Sequence, residues 1–486
     1  MKNIVLIMAD AHRGDFLGCL DNNVTSTPHL DRIAEKGALF TNAFCTAPLC
    51  CPSRQAIVSG GYPSNTGCFT NLHQLPAHTP TFLSELVRAG YHTVLAGKSH
   101  MEIHAFNSDL TSRSHAEYMK TLGWNELYEI SGSMLRTGIR CAYSEFLRDS
   151  GMLSEVLTYH RKWHYFMDSP SSGDPAYIVH PWPFDEHFDE SRFVTDQAVN
   201  WLKQYSGSKP FFMQVGYYQP NHPRDPLPRF LEKYQNQKAP FPGGAQISVP
   251  EKYLASRTSY RAEISQIDEY AGEIFGLLEK KNMLDNTFFI YTSDHGCSLY
   301  ERYGHPELFG GEAYANFFQA AVHVPLLAAG GGFNEKRKIT ALTETIDLGK
   351  TICELAGIES HRFDQGKSLI PLLSGKIDQH RNSIYSEMAC DRMLFNGKYK
   401  LMRGDPLSDK RLLWKAAHLD RPVNITPSVI RLFDLKNDPY ETCDLAGNYG
   451  YKNTLAEMNE LMLQRISENT RAQPYLNRGE YRPVIV

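Results

Sequence analysis

Several absences narrow this 486-residue chain before any motif is considered. No charge of one sign prevails: 50 Lys and Arg stand against 54 Asp and Glu, a formal net charge of −4, so the basic stripe that nucleic-acid binding needs is missing. A local pocket for a small anion stays open. No stretch approaches the roughly 20 apolar residues of a membrane span. The opening run Ile4-Val5-Leu6-Ile7-Met8-Ala9 is too short for a signal h-region, has no small-residue cleavage site, and leads directly into Asp10-Ala11-His12-Arg13. It reads as a buried first strand, and a cytoplasmic protein is expected. The ten cysteines follow no framework spacing and Cys50 adjoins Cys51, which points to reduced packing residues and away from a disulfide-stapled secreted domain. Low-complexity tracts and internal repeats are also lacking.

What is present is the composition of a globular protein, 42% apolar and 21% charged. Strand-like runs alternate with helix-like segments, which predicts an α/β fold with a mostly parallel central sheet flanked by helices. Strands are expected over 2–9, 93–96, 211–218 and 287–292, and helices from Thr27-Pro28 to about Lys36, over 81–89 and over 189–205. A further helix places Ile264, Ile267, Ala271, Ile274 and Leu278 on one stripe. The aromatic-rich stretch from about 107 to 187 has weak periodicity and reads as an insertion over the sheet that shapes a substrate pocket. Its His180, Trp182 and His187 fit core or surface as well as substrate contact. Past about Gly375 the runs shorten: 383–388, 393–395, a turn at Asn396-Gly397, 399–402, 431–435 and a closing helix over 453–469. This gives a catalytic domain over 1–375 and a smaller C-terminal α+β domain over 376–486, with an antiparallel sheet and one helix.

Three predicted strands end in polar residues: Asp10, then Lys98 with His100, then Asp294 with His295. Open α/β sheets bind ligands along that edge, so one shared site is expected. Asp10, Asp294 and His295 would supply oxygen and imidazole ligands to a divalent cation. Asp10 also suits a simple turn or cap after the first strand. Cys50 among these groups is chemically odd, because calcium and magnesium avoid thiolates whereas a retained thiol would suit zinc or iron. Removal of the sulfur is one resolution.

The run Cys50-Cys51-Pro52-Ser53-Arg54, with Ser59-Gly60 downstream, resembles the signature of the formylglycine-dependent sulfatases of the alkaline phosphatase superfamily. Further matches follow in order: Thr27-Pro28-His29-Leu30-Asp31, Gly97-Lys98-Ser99-His100, Pro220-Asn221-His222-Pro223, Ser293-Asp294-His295-Gly296, Val324-Pro325-Leu326, and Phe433-Asp434-Leu435 running to Pro439. Together they span nearly the whole chain, which a single short motif would not. The resemblance implies hydrolysis of a sulfate ester, of a sugar or an aryl alcohol. It implies that a maturation enzyme oxidises Cys50 to formylglycine, and that Asp10, Cys50, Asp294 and His295 hold a divalent metal, usually Ca²⁺. Arg54 would steady the formylglycine hydroxyl. Lys98 would bind a sulfate oxygen, His222 protonate the leaving alcohol, and His100 take the proton that lets sulfate depart. Asn71, 21 residues beyond Cys50, is a further candidate for sulfate contact. The expected partners are a small-molecule or saccharide sulfate ester and the maturation enzyme, with neither nucleic acid nor membrane.

The chain departs from the family pattern twice. Ala11 stands where a second polar metal ligand is common, and no Lys lies between Gly296 and Val324, where the polar side chains include Arg302, His305 and Tyr314. Two rival readings follow. One is a phosphonate monoester or phosphodiester hydrolase with the same formylglycine. The other is a non-catalytic binding protein on a sulfatase scaffold.

Overall fold

The computed structural model of the chain describes residues 1–20, 24–102, 108–132, 135, 138–168, 180–222, 224–237, 251–299, 312–313, 316–388, 391–404 and 429–471. Pro223, Arg302, His305 and Tyr314 lie outside these residues. The main sheet is built from β1 (Asn3–Ala9), β2 (Gly37–Phe44), β3 (His92–Gly97), β4 (Glu126–Glu129), β5 (Phe211–Gly216), β6 (Thr287–Ser293), β7 (His323–Gly330), β8 (Arg337–Ile339) and β9 (Thr343–Glu344). Their order is β8-β2-β7-β6-β1-β5-β3-β4, with β9 also on β2. All neighbours run parallel except β7, which is antiparallel to both β2 and β6.

Every residue of β1 is buried, because the strand is covered on both faces. Ile4, Leu6 and Met8 enter one core and Val5, Ile7 and Ala9 the other, as period-2 alternation in a sandwiched strand requires. The first core is closed by α2 (Cys50–Ser59) and α3 (Phe82–Arg88), the second by α1 (Pro28–Glu35), α4 (Glu190–Gln204) and α5 (Glu251–Lys280). Thr81 caps α3, accepting from Ser84 N at 2.9 Å, and the predicted α5 stripe of Ile264, Ile267, Ala271, Ile274 and Leu278 is fully buried.

β8 and β9 were not foreseen, and two further strands depart from the expectation. β2 was not foreseen; its alternation is broken at Thr41-Asn42, where the pairing with β7 shifts register. β4 falls inside the stretch read as an insertion, yet it pairs in parallel with β3 as the edge of the main sheet.

The C-terminal part forms an antiparallel sheet of β10 (Ile384–Met388), β11 (Asp391–Phe395), β12 (Tyr399–Gly404) and β13 (Val429–Asp434), followed by α6 (Lys452–Arg471). Met393, Phe395, Met402 and Phe433 face the first main core, whereas Leu394, Leu401 and Leu432 pack with Met458 and Met462 of α6. The small sheet is thereby held on the large one. Arg465 of α6 adds polar bonds, donating to Tyr62 Oη at 2.7 Å and Glu344 Oε1 at 3.0 Å. No described helix is long and apolar enough to cross a membrane, and the nine described cysteines are all free.

Candidate active site

The pairing of β1 with β6 sets Ala9 opposite Ser293, so Asp10 and Asp294 leave the sheet side by side at its carboxyl edge. Both are fully buried. Cys50 reaches them from the first residue of α2, where the positive end of the helix dipole favours negative charge. Ligand atoms of Asp10, Cys50, Asp294 and His295 all lie within 4.8 Å of one another. Cys50 Sγ is 3.2 Å from His295 Nε2 and 3.6 Å from Asp10 Oδ1. His295 Nδ1 lies 2.7 Å from the Gly296 carbonyl. A carbonyl only accepts, so Nδ1 carries the proton and Nε2 is turned toward the cluster.

Arg54 lies one helical turn beyond Cys50, on the same side of α2. Its Nε donates to Asp294 Oδ2 at 2.7 Å, Nη2 to Asp10 Oδ2 at 3.3 Å and Nη1 to the Lys98 carbonyl at 2.9 Å. The Lys98 ammonium meets the same Asp10 carboxylate and stands 5.2 Å from the centre of the Tyr218 ring. Lys98 gets there because β3 and β5 close at Gly97 and Gly216, where a Cβ on Gly97 would strike the Gly216 carbonyl at 2.1 Å. Two buried cations thus offset two buried carboxylates, which none of the four could tolerate alone. Burial by itself would raise Asp294, but Arg54, His295 and Lys98 outweigh it and hold the carboxyl at about 2. The Cys50 thiol moves the other way: burial, then the charge of Asp10, push it well above its ordinary range. An unmodified thiol here stays neutral and is a weak nucleophile.

The structure therefore brings Asp10, Cys50, Arg54, Lys98, Asp294 and His295 into mutual contact. His100 follows two residues after Lys98 in left-handed backbone at φ 59°, and His222 follows directly after Asn221. Asn71 is engaged at the start of α2, its Oδ1 accepting from Cys51 N at 3.0 Å, so it satisfies one first-turn amide that has no partner within the helix.

Three contributors escaped the sequence reading. Asn221 donates from Nδ2 to Asp10 Oδ1 at 2.8 Å, while its Oδ1 accepts from His222 N at 2.8 Å. Its signal lay in the Pro220-Asn221-His222-Pro223 run, which was read for His222 alone. Ala11 has no side-chain ligand, yet its amide donates to Asp294 Oδ1 at 3.1 Å. Ser53 donates to the Asp294 carbonyl at 2.6 Å.

A sulfur, two carboxylates and an imidazole at the carboxyl edge of a mostly parallel sheet, backed by buried Arg and Lys, suit a hydrolase of anionic esters. Comparison with known proteins makes this specific. The sulfatase family model matches residues 2–358, and the model described as N-sulphoglucosamine sulphohydrolase, C-terminal, matches residues 315–468. The choline-sulfatase of Rhizobium meliloti (strain 1021) is 26% identical over 478 residues, covering 92% of this chain and 82% of its own. Among solved structures, the phosphonate monoester hydrolase of Agrobacterium radiobacter superposes with a TM-score of 0.73 at 18% identity, covering 96% of each chain. A protein solved with its substrate D-glucosamine-2-N,6-O-disulfate gives 0.72 at 19% identity, covering 98% of this chain and 99% of its own. The chain belongs to the sulfatase family of the alkaline phosphatase superfamily. It is a sulfuric ester hydrolase.

Proposed function

We propose that this hydrolase cleaves sulfate monoesters of sugar or aryl alcohols with a nucleophile made from Cys50, which a maturation enzyme oxidises to formylglycine. The observation that carries the reading is the position of the Cys50 sulfur, inside the acidic and imidazole cluster and at the start of α2. A thiol is poorly suited to that environment, and a hydrated aldehyde supplies a hydroxyl in its place.

The donor set fits a divalent cation. Asp10, Asp294, His295 and the modified residue 50 would hold it, and the carboxylates favour a hard ion such as Ca²⁺. When bound, such an ion supplies Lewis acidity toward the sulfate and stabilises negative charge on the nucleophile. The protein's own charges support this. Two carboxylates and two cations cancel, so an added dication leaves a positive surplus matching the sulfate ester and an ionised nucleophile.

Arg54 fixes Asp10 and Asp294 and steadies the hydroxyl on residue 50. Lys98 takes a sulfate oxygen as a compact charge. His222 protonates the leaving alcohol, and His100, on the opposite side, accepts the proton that releases sulfate. Asn71, whose carbonyl oxygen is engaged by Cys51, offers its amide NH₂ to a sulfate oxygen.

Peptide mass spectrometry on residue 50 should show a loss of about 18 Da, from replacement of CH₂SH by CHO. Protein so converted should turn over 4-nitrophenyl sulfate faster than 4-nitrophenyl phenylphosphonate at equal concentration. An unconverted Cys50 in active enzyme would sink the nucleophile assignment. Faster phosphonate cleavage would favour the phosphonate hydrolase reading instead.

A further inference from the structure

A second feature lies at Tyr218, on the β4–β5 side of the site. Tyr218 lines a cavity together with Asp189, Glu190, Asp225 and Gln219. Three carboxylates around one cavity would ordinarily be paired with cations, yet among the described residues none of the three makes an ion pair. Gln219 is 5% exposed, and its Oε1, like Glu190 Oε1, is shielded from solvent with no hydrogen-bond partner. Buried acceptors without donors are costly, so each calls for an occupant that donates.

The geometry narrows the occupant. Among the described residues, Asp10, Cys50, Asp294 and His295 are the one set whose ligand atoms converge tightly enough for a metal ion; the acids of this cavity do not. An organic cation, with donors spread around its head, spans more widely placed acceptors. The rings of Tyr143, Trp182 and Tyr218 add faces that attract such a charge. The cavity leaves about 30 Å³ for the centre of a water-sized group, against the ~10–15 Å³ that one water needs. That admits an –NH₃⁺ head, which, unlike trimethylammonium, brings donors to the orphaned acceptors. Tyr218 borders the catalytic site as well as this cavity, with Lys98 Nζ 5.2 Å from its ring centre.

We infer that the cavity bounded by Asp189, Glu190, Asp225, Gln219 and Tyr218 binds the primary ammonium group of the substrate's alcohol, so that amino-alcohol sulfates are the favoured esters. This inference rests on the sulfatase reading and extends its alcohols to those that carry a primary amine. Without a cation beside them these buried acids hold their protons, and a bound ammonium favours their ionised form. Burial, then Asp189, hold Glu190 up to about 8, with Lys98 opposing, and an ammonium in the cavity would relieve that stress.

Two measurements on the full chain test it. In isothermal titration, methylammonium chloride should bind, and Glu190→Gln or Asp225→Asn should each weaken it about tenfold, the loss of one charge-assisted hydrogen bond. In kinetics, kcat/KM for 2-aminoethyl sulfate should exceed that for ethyl sulfate about tenfold, and the ratio should fall toward unity in both variants. Absent methylammonium binding, binding unaffected by both substitutions, or equal kcat/KM for the two esters in the wild type would overturn the inference. Tetramethylammonium or potassium binding as tightly as methylammonium would also overturn it, in favour of a different cation. Methylammonium binding that responds to the variants, without turnover of either ester, would leave the ammonium site standing and remove the sulfatase reading. The converse pattern removes the ammonium site alone.

Discussion

At the scale of single residues, the site is a balance of buried charges in which neutral side chains fix the geometry. Of the nitrogen donors Arg54, Lys98 and Asn221 at Asp10, Asn221 alone adds no charge. It orients the carboxylate while leaving the charge balance for a bound cation unchanged, as partners behind metal ligands do. Asn221→Ala should therefore raise the Ca²⁺ concentration giving half-maximal activity by about 10–100-fold. Activity recovered by adding Ca²⁺ back to chelator-treated protein measures this, and an unaltered requirement would refute the role. Cys50, Asp10, Asp294 and His295 were legible in the sequence because each sits in a short run whose chemistry is local. Asn221 was not, because its meaning depends on a carboxylate 211 residues away.

At the scale of elements, the loop carrying Lys98 and His100 is braced from β4. Ser99 donates to Glu129 at the end of that strand, and the Glu129 carboxylate accepts from His115 Nε2 at 2.7 Å. His115 is paired on its other nitrogen with Glu102 at 2.6 Å. Burial opposes its charge, but the bonds to Glu102 and Glu129 hold it up to about 10, so the brace is ionic at neutral pH. Glu129→Gln should cost about 1–3 kcal/mol of stability and lower kcat through the displaced loop. Thermal unfolding and steady-state kinetics report the two effects. Full activity with only the stability loss would mean that the brace does not position the loop. The edge strand behind it was hidden in the sequence, since a four-residue strand with three half-exposed positions carries little periodicity. α2 is hidden for the opposite reason: all ten of its residues are buried, so no polar face marks it as helical.

At the scale of the whole molecule, buried acids set the response to pH. Burial raises Asp189 to about 7 and Asp268 to about 8, and Glu190 reaches about 8 as well. An acid raised in the folded state holds its proton longer there than in the unfolded chain, so stability is lost as pH climbs from the ordinary carboxylate value through the folded one. His115, raised to about 10, adds stability that is complete below its unfolded value and fades as pH rises toward 10. Asp294, held at about 2, acts oppositely and costs stability only as pH falls toward that value. The thermal midpoint should thus peak near about pH 5 and decline steadily toward pH 9. A midpoint that rises between pH 5 and 8 would show that these acids are ionised in the folded protein.

The sequence alone determined the α/β class, most strand and helix positions and the core of the site, since apolar periodicity and short polar runs are properties of neighbouring residues. Tertiary structure decided the rest, because those features depend on groups far apart in the chain. Parallel register sets Asp10 beside Asp294, Gly97 meets Gly216 so that Lys98 can reach Asp10, and Tyr218 borders both Lys98 and an acidic cavity gathered from 189, 190 and 225. No local pattern records those approaches; only the packed sheet and its loops bring such charges close enough to matter.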